Sequence, residues 1–309
     1  MPQFTKYALE NSLKKLLLQK PLNKITINDI TEDCGTDGTR AILEEYAAKY
    51  PQRIRLNLRQ KNVGISRNWY EGLCAAQGEF VCTLEGDDWW RDESKLQKQA
   101  DFLRAHPDYL AVSHTLLLTD DEGKTYGTLP DDERILNADA TMPLFLRGVT
   151  YSCTACMVRN IFRTPDPARE AYVTANRSIA DFALCMLYLD GGRVFVMDEA
   201  MSAYRVGGPA AEHKNYNTRA SAVKKYADFL DVVLASRSYF GSRYPFTRCL
   251  LAGTFFPLID RIKYGGLGPF LKEMGRLPAG AKLALPFYFV GRCFGLVWAK
   301  LFGKKEAKG

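Results

Sequence analysis

The sequence predicts an α/β protein in which helices flank a mainly parallel sheet. Short apolar runs alternate with amphipathic stretches from Thr36 to Asp198. This alternation is typical of strands joined by crossover helices, a connection that favours parallel pairing. Of the 309 residues, 47% are hydrophobic and 25% are charged, which is the composition of a globular chain with a substantial core.

Periodicity and chain-breaking residues predict the elements in order. Leucines at helical spacing predict a first helix over Thr5–Gln19, and Pro21 stops it. Two later helices end at Pro51 and Gly78, where the pattern is interrupted. The predicted helices are TDGTRAILEEYAAKY, GISRNWYEGLCAAQG, the segment containing Leu96 and Phe102, and Ile179–Leu189; the predicted strands are RIRLNL, EFVCTL, LAVSHTLLL, YSCTACMV and RVFVMD.

The stretch ITINDITEDCG fits two structures. A strand would place Asn28 and Asp29 within a buried run, which is unfavourable in a parallel sheet. A helix over Ile27–Cys34 would be capped by Thr26 at its start and by Gly35 at its end. Local physical chemistry therefore favours the helix.

Charge is distributed unevenly along the chain. The net charge is +7, yet residues 216–309 carry 16 Lys and Arg against 5 Asp and Glu, a net of +11. The remaining residues are therefore net −4. A basic tail on an acidic body indicates that the tail, rather than the body, meets an anionic surface.

The C-terminal tail is helical and rich in aromatic residues. Its segment LPFYFVGRCFGLVWAKLFGKK carries Arg292 and Lys300, whereas a spanning helix needs about 20 apolar residues with few charges. A helix lying in the membrane interface fits this pattern better. The alternative is an amphipathic helix packed on the body of the protein.

Cysteine usage and the N-terminus indicate a reducing compartment. The eight cysteines are scattered through apolar segments, and the C-x-x-C of Cys153 and Cys156 has no second pair or histidine nearby. We therefore expect reduced thiols rather than zinc ligands. Lysines interrupt Met1–Gln19, so no signal peptide is expected.

The motif EGDDWW follows an apolar strand and carries the strongest chemical signal. Carboxylates at the carboxyl end of a strand lie where open α/β sheets bind ligands. Glu85 and Asp87, two residues apart, lie on one side of an extended chain and suit a divalent cation; a solvated acidic turn is the alternative. Trp89 and Trp90 fit either the wall of a ligand pocket or the core, and core packing is at least as good an explanation for one of them.

Several motifs in fixed order resemble the family-2 glycosyltransferases, which have the GT-A fold. They are N-x-G followed by R-N, then A-x-G-E-F, the acidic motif as a D-x-D variant, and KLQKQ. Further on, YSCTACMVRN and IADFALCMLYLDGGRVFVMDEAMSAYRVGG are similar to the segments after the donor site and on the acceptor side. The resemblance covers Thr36–His213, and its spacing over several elements makes it more specific than any single motif.

The resemblance implies roles for the acidic residues. Asp87 matches the family's metal-binding aspartate, with Glu85 as the variant first member of the motif, and the implied cofactor is Mg²⁺ or Mn²⁺. Asp181 matches the general base that deprotonates the acceptor hydroxyl for inverting attack at the anomeric carbon. Without the resemblance, the preferred interpretation of Asp181 is a carboxylate at a helix N-terminus, where the helix dipole favours it.

The resemblance also implies donor-binding residues. Gly64 and Arg67 match the loop near the ribose and phosphates of the donor. Arg205 matches a position that contacts the diphosphate or the acceptor, although a surface ion pair would explain it nearly as well. Asp33 falls where the family places an aspartate that contacts the nucleotide base.

The N-terminal segment departs from this family. Residues 1–35 resemble the start of a TetR-type transcription regulator, with a partial helix-turn-helix, so the first central strand of the GT-A sheet is expected to be missing. The sequence thus predicts a chimera with a helical segment over residues 1–35, a GT-A body over residues 36–215 and a basic helical tail over residues 216–309.

The function expected from these features is sugar transfer from a nucleoside diphosphate to a hydroxyl of a saccharide or lipid-linked acceptor. Expected partners are the nucleotide-sugar donor, that acceptor and a membrane surface, at the cytoplasmic face of the cell membrane. The alternatives are a catalytically impaired fusion and a DNA-binding regulator. The regulator is weakened because no recognition helix follows Gly35 and the body is net acidic, whereas DNA binding depends on neutralising phosphates.

Overall fold

The computed structural model describes residues 28–35, 38–120, 123–206 and 222–302. The chain divides into two compact units, residues 1–218 and residues 219–309. The helix predicted over Thr5–Gln19 lies outside the described residues, as does the start of the resemblance to a transcription regulator.

The first unit is an α/β structure, so the predicted fold class is confirmed. Its described strands are β1 (Asn28–Glu32), β2 (Ile54–Leu58), β3 (Phe80–Cys82), β4 (Trp89–Trp90), β5 (Tyr109–Thr119), β6 (Thr125–Leu129), β7 (Ala138–Ala140), β8 (Met157–Arg159) and β9 (Arg193–Arg205). Its described helices are α1 (Thr39–Lys49), α2 (Ile65–Ala75), α3 (Lys95–Ala105), α4 (Met142–Phe145), α5 (Pro167–Val173) and α6 (Asp181–Gly191).

Two sheets form among the described residues. Strands β1 and β2 pair in parallel, and α1 is the crossover helix between them. The second sheet has seven strands in the order β3-β8-β5-β9-β4, with β6 beside β5 and β7 beside β9. In this sheet β5 and β9 are parallel and the other ladders are antiparallel. The sheet is therefore more mixed than the alternation predicts, because the short strands β4 and β8 run antiparallel to the strands beside them.

The topology gathers several chain segments at one edge of the large sheet. Strand β3 is antiparallel to β8, which is antiparallel to β5, so β3, β5 and β9 run in the same direction. Their carboxyl ends therefore share an edge. Helix α6 immediately precedes β9 and packs on it, so its N-terminus returns to that same edge.

The predicted helix over Ile27–Cys34 is wrong. Asn28–Glu32 is a strand whose five residues pair in register with Ile54–Leu58. Ile30 packs with Ile42 and Leu43 in a small apolar cluster beneath α1. A helix cap contributes about 1 kcal/mol, which strand pairing and burial of the branched side chains outweigh.

The predicted strand YSCTACMV is shorter in the structure, where only Met157–Arg159 is extended. The preceding residues form a turn in which Cys156 N–H donates to the Cys153 carbonyl at 3.1 Å. The Ser152 hydroxyl accepts from Thr154 N–H at 3.2 Å. Serine and threonine side chains compete in this way with ladder hydrogen bonds, which ends the strand early.

The motif KLQKQ builds the core beneath the acidic edge. Lys95 is fully buried, its Nζ donates to Gln99 Oε1 at 2.7 Å, and it lies 4.6 Å from the Trp90 ring. Gln99 Nε2 donates to the carbonyls of Val112 and Ala155, both at 2.9 Å. One glutamine thus ties α3 to β5 and to the turn before β8.

The second unit is helical. It contains α7 (Ala222–Phe240), α8 (Phe246–Tyr264), α9 (Leu267–Met274) and α10 (Ala279–Phe302). Tyr226 of α7 packs on Phe270 of α9 with ring centroids 4.3 Å apart, and Phe255 of α8 packs on Phe289 of α10 at 5.1 Å. Within the described part of the chain, none of the helices has the length and hydropathy needed to span a membrane.

Candidate active site

The acidic turn, defined as Glu85–Asp88, joins β3 to β4. The turn is closed by Asp88 N–H, which donates to the Glu85 carbonyl at 3.1 Å. Trp90 anchors its far end, because this side chain is 5% exposed in the main core cluster with Leu96 and Leu103. Trp90 is therefore a core residue, whereas Trp89 stays half-buried.

The carboxyl end of β9 lies against the acidic turn. Strand β4 pairs with β9 so that Trp89 is opposite Ala203, which brings the turn beside Arg205. Arg205 N–H donates to Asp88 Oδ1 at 3.0 Å, and Arg205 Nη2 lies 3.7 Å from Asp87 Oδ2. Arg205 is 6% exposed, so its ion pair with Asp87 is not the surface pair that its sequence position also allowed.

Asp181, the first residue of α6, reaches the same edge as the acidic turn. Burial raises the pKa of Glu85 well above its usual range, and the charges of Asp88, Asp181 and Asp87 raise it further. Burial and Asp87 raise the pKa of Asp88 in the same direction, although the hydrogen bond from Arg205 N–H lowers it. The structure therefore brings together three of the predicted residues, Glu85, Asp87 and Asp181, with Arg205.

Two further residues that were not predicted lie at this carboxylate cluster, one more carboxylate and a tyrosine. Asp88 is 4% exposed. The sequence did not predict it because in an extended chain alternate residues, here Glu85 and Asp87, face the same ligand. Tyr204 precedes Arg205, and burial together with the carboxylates raises the pKa of its hydroxyl. The tyrosine-arginine pair at the end of the last strand was the available sequence signal for Tyr204.

The carboxylate oxygens of this cluster fit a hard divalent cation. Protein side chains would fill only part of its coordination shell. Magnesium and manganese prefer carboxylate oxygens. Burial first, and repulsion between neighbouring carboxylates second, raise the pKa values of Glu85 and Asp88, and a bound cation would oppose both effects. Over the residues that the structure describes, no group of three Asp, Glu, His or Cys side chains is arranged to hold a metal alone. Such an ion would complete its coordination with water and phosphate oxygens.

A second group of predicted residues lies where β1 and β2 end. Asp33 follows β1, and its Oδ1 and Oδ2 accept from Val63 N–H at 2.7 Å and Gly64 N–H at 2.9 Å. Asn62 Nδ2 donates to the Asp33 carbonyl at 3.0 Å. The side chain of Asp33 thus holds the N-x-G loop, which is a structural use of the carboxylate predicted to contact a nucleotide base.

Gly64 connects this loop to the segment that leads to Asp181. Its φ is 93°, and a Cβ atom there would lie 2.4 Å from Cγ of Arg177 and 3.0 Å from the Arg177 carbonyl. Ser66 N–H donates to that carbonyl at 3.2 Å, and Arg177 Nη2 donates to the Asn62 carbonyl at 3.0 Å. Because Arg177 precedes Asp181 by four residues, the N-x-G loop and the carboxylate cluster are joined through one short segment.

Arg67 is turned away from the loop. Its Nη1 lies 2.9 Å from Glu170 Oε1 on α5 and 3.4 Å from Glu71 Oε1, one turn along α2. The ion pair with Glu170 raises the pKa of Arg67. Arg67 is therefore a predicted donor-binding residue whose side chain forms ion pairs with carboxylates outside the cluster.

An α/β sheet whose carboxylates gather at the carboxyl ends of its strands has them at the edge where α/β proteins bind ligands. The sequence pattern described as "Glycosyl transferase family 2" matches residues 7–161, and the chain belongs to this family of sugar-transferring enzymes. The match begins at residue 7 and so includes most of residues 1–35, the segment for which a TetR-type origin was predicted.

Known bacterial proteins are similar to this chain. An uncharacterized protein of Mycobacterium tuberculosis is 32% identical over 195 residues, which are 62% of this chain and 53% of that protein. EpsE of Bacillus subtilis, named as a glycosyltransferase, is 27% identical over 211 residues, or 68% of this chain and 72% of EpsE. The chain thus spans about half the length of the mycobacterial relative.

A solved structure has the same fold. The structure of S. aureus TarS 1–349 in complex with UDP superposes with a TM-score of 0.56 at 15% identity. The superposition covers 98% of this chain and 90% of that one. The likeness confirms the GT-A fold predicted from the motif order.

Proposed function

We propose that this chain transfers a sugar from a nucleoside diphosphate to a hydroxyl group, with inversion at the anomeric carbon. The observation that carries the proposal is the convergence of Glu85, Asp87, Asp88 and Asp181 with Arg205 at the carboxyl ends of β3 and β9. Carboxylates crowded in this way repel one another, so the cluster is costly for folding and is explained by a ligand that brings positive charge.

The donor diphosphate is proposed to bind at the acidic turn. Glu85 and Asp87 would hold Mg²⁺ or Mn²⁺, and the bound cation supplies positive charge to the departing diphosphate. Arg205 Nη2, 3.7 Å from Asp87 Oδ2, is placed to contact a phosphate oxygen beside that carboxylate. Asp88 fixes this arrangement by accepting the backbone N–H of Arg205.

Asp181 is proposed to be the general base. Its carboxylate would take the proton of the acceptor hydroxyl as the hydroxyl oxygen bonds to the anomeric carbon and the bond to the diphosphate oxygen breaks. Asp181 is exposed, which lets an acceptor approach from solvent, while Glu85 and Asp88 lie deeper. General bases of this kind contribute about 10²–10⁴-fold to a rate.

The loop held by Asp33 and Gly64 is proposed to line the nucleoside side of the donor pocket. Because the Asp33 carboxylate already accepts two backbone N–H groups, we assign it to holding the loop and Gly64 to the close approach that a side chain would prevent. Arg67 would reach a phosphate only by leaving Glu170, so its contribution to donor binding is proposed to be small.

The names of the relatives support the donor and acceptor classes. TarS was solved with UDP, and TuaG of Bacillus subtilis, named as a teichuronic acid biosynthesis glycosyltransferase, is 26% identical over 178 residues. We therefore propose a uridine diphosphate sugar as donor and a growing or lipid-linked polysaccharide as acceptor, at the cytoplasmic face of the cell membrane. All eight cysteines are free thiols in the structure, which suits that compartment.

A DNA-binding function is not proposed. The helix that it requires over Ile27–Cys34 is strand β1, which pairs with β2 and carries Asp33 to the N-x-G loop. We propose instead that β1 onward belongs to the transferase body, and that residues 216–309 form a separate basic helical region.

The test is turnover with a panel of nucleotide sugars and Mn²⁺, read as release of the nucleoside diphosphate and by NMR of the product anomer. We expect an inverted anomer, and Asp181→Asn should lower turnover by about 10²–10⁴-fold while UDP binding persists. Asp190→Asn, at the other end of α6, is the matched control and should turn over normally. A retained anomer, or full turnover by Asp181→Asn, would contradict the proposal.

A further inference from the structure

Helix α10 carries an apolar stripe on its exposed side. The stripe is defined as Leu283, Phe287, Val290 and Phe294, which are 75%, 81%, 55% and 73% exposed. Their spacing of four, three and four residues places them on one face of the helix. Exposed apolar patches of this kind mark a surface that is covered by something else.

The opposite face of α10 makes the contacts within the second unit. Ala281 and Leu285 are buried, and Phe289 packs on Phe255 of α8. The Arg292 guanidinium lies 5.8 Å from the ring of Phe255, on the same side. The unit is therefore held together without the stripe, which leaves the stripe available to a partner.

The charges of α10 and of the surrounding unit are positive. The charged residues of α10 are Lys282, Arg292 and Lys300, with no Asp or Glu between residues 279 and 302. Lys282 Nζ donates to the Gly275 carbonyl at 2.6 Å.

Three acidic side chains of the unit are paired with basic ones. Asp228 is paired with Lys224 at 2.7 Å, Glu273 is paired with Arg276 at 3.0 Å, and Asp231 is a second partner of Arg276. Because residues 216–309 carry a net charge of +11, the electrostatic field around the unit is positive.

We propose that the stripe inserts into an anionic lipid surface, with α10 lying in the plane of the interface. A helix with an exposed apolar face and basic residues binds the boundary between headgroups and acyl chains in this way. A second copy of the chain is a poorer occupant, because two such helices would bring like charges together at the contact. The inference deepens the proposed function, on which it rests for the lipid-linked acceptor that would be met at that surface.

The experiment is co-sedimentation of the full chain with vesicles of phosphatidylglycerol and phosphatidylcholine, and with vesicles of phosphatidylcholine alone. The double variant Phe287→Ser/Phe294→Ser should bind the anionic vesicles at least about tenfold more weakly, since two aromatic side chains no longer leave water. Tyr126→Ser, an exposed aromatic residue on β6 in the first unit, is the matched control and should bind like the wild type. Equal melting temperatures of the variants show that the fold is intact.

Salt and concentration separate the possible occupants. Binding that weakens as salt rises supports the proposal, because exposed charges are screened beyond about 8 Å at physiological ionic strength. Retention that resists salt, or anionic binding unchanged in the double variant, overturns it. Self-association that the double variant abolishes in the absence of vesicles also overturns it, in favour of a second copy of the chain.

Failure of this inference and failure of the proposed function are distinguishable. Vesicle binding requires neither donor nor turnover, so Asp181→Asn should co-sediment like the wild type. A chain that transfers sugar but ignores vesicles refutes only the lipid surface, and a chain that binds vesicles but transfers nothing refutes only the transferase.

Discussion

The acidic turn and the nearby carboxylate of Asp92 have opposite pKa shifts. At the acidic turn, burial and the neighbouring carboxylates raise the pKa values of Glu85 and Asp88 well above their usual range. At the start of α3, burial also raises the pKa of Asp92, but hydrogen bonds from Ser94 and Lys98 prevail and lower it to about 2. Ser94 N–H and Oγ lie 2.8 and 2.6 Å from Asp92 Oδ1, and Lys98 Nζ lies 2.9 Å from Oδ2.

The opposite pKa shifts separate a carboxylate whose charge stabilises the fold from carboxylates whose charge a bound cation would stabilise. Asp92 accepts hydrogen bonds from Ser94 and Lys98 at the start of α3, so its ionisation favours folding. Burial and neighbouring carboxylates disfavour the charged forms of Glu85 and Asp88, so their ionisation opposes folding even though Arg205 N–H donates to Asp88. Where a sheet edge holds carboxylates whose pKa values are raised in this way, we infer a binding site rather than a structural one.

The largest expected effect is on catalysis. Asp87→Asn should lower sugar transfer by on the order of 100-fold or more, comparable with the loss of one preorganised electrostatic contact in an active site. The change removes a proposed metal ligand and the partner of Arg205. Steady-state turnover with saturating Mn²⁺ measures it.

Asp92→Asn is the matched control for that substitution, because it makes the same chemical change at a compensated carboxylate. Its turnover should stay close to that of the wild type. Equal losses in the two variants would mean that the comparison between the two groups does not separate function from stability.

The second largest effect is expected in the way the stability of the metal-free protein depends on pH. Because the folded pKa values of Glu85 and Asp88 are raised, their contribution to stability is fully present below the unfolded value of about 4 and is lost as pH rises through the folded values. In chelator, the melting temperature should therefore fall as pH rises from mildly acidic to mildly basic.

Glu85→Gln/Asp88→Asn should reduce that fall and raise the melting temperature at neutral pH. The amide at position 88 can still accept the N–H of Arg205. Thermal melts of both proteins across pH measure the effect, and a variant less stable than the wild type at high pH would show that the carboxylates are compensated after all.

A smaller effect of opposite sign is expected at Asp92. Its folded pKa is lowered, so its contribution to stability is present above about 4 and is lost as pH falls through about 2. Asp92→Asn should therefore cost about 1 kcal/mol at neutral pH, after allowance for partial exposure, and nothing in strong acid. Denaturant melts at neutral and acid pH test both halves of this expectation.

The smallest effect is expected at Arg67. Its ion pairs with Glu170 and Glu71 are exposed, so Arg67→Ala should cost at most about 1 kcal/mol of stability. UDP binding measured by calorimetry should change little. A loss of binding above about tenfold would show that Arg67 leaves Glu170 and meets the donor.

The sequence predicted the acidic edge because its signals are local. Glu85 and Asp87 directly follow an apolar strand, and the start of α6 at Asp181 lies within two residues of the predicted helix boundary. That Asp181 meets Glu85 required the family resemblance, since the contact depends on how α6 returns beside β9. The ion pair between Arg67 and Glu170 could not be predicted from local sequence either, because the two residues are 103 positions apart in the chain.

The error at Ile27–Cys34 has a different origin. Thr26 and Gly35 are correct local signals for helix ends, but the strand is decided by pairing with Ile54–Leu58, which no local pattern contains. The error also affected the prediction for Asp33. Its hydrogen bonds to the N-x-G loop form only because the carboxyl ends of β1 and β2 meet at one edge of the sheet.

The most direct test of the central claim is Mn²⁺ binding in the presence of UDP, followed by electron paramagnetic resonance. The account predicts that the wild type and Asp92→Asn bind Mn²⁺ with similar affinity and that UDP tightens binding, whereas Asp87→Asn loses the UDP-dependent site. Wild-type Mn²⁺ affinity in Asp87→Asn would contradict the assignment of the acidic turn as the donor site.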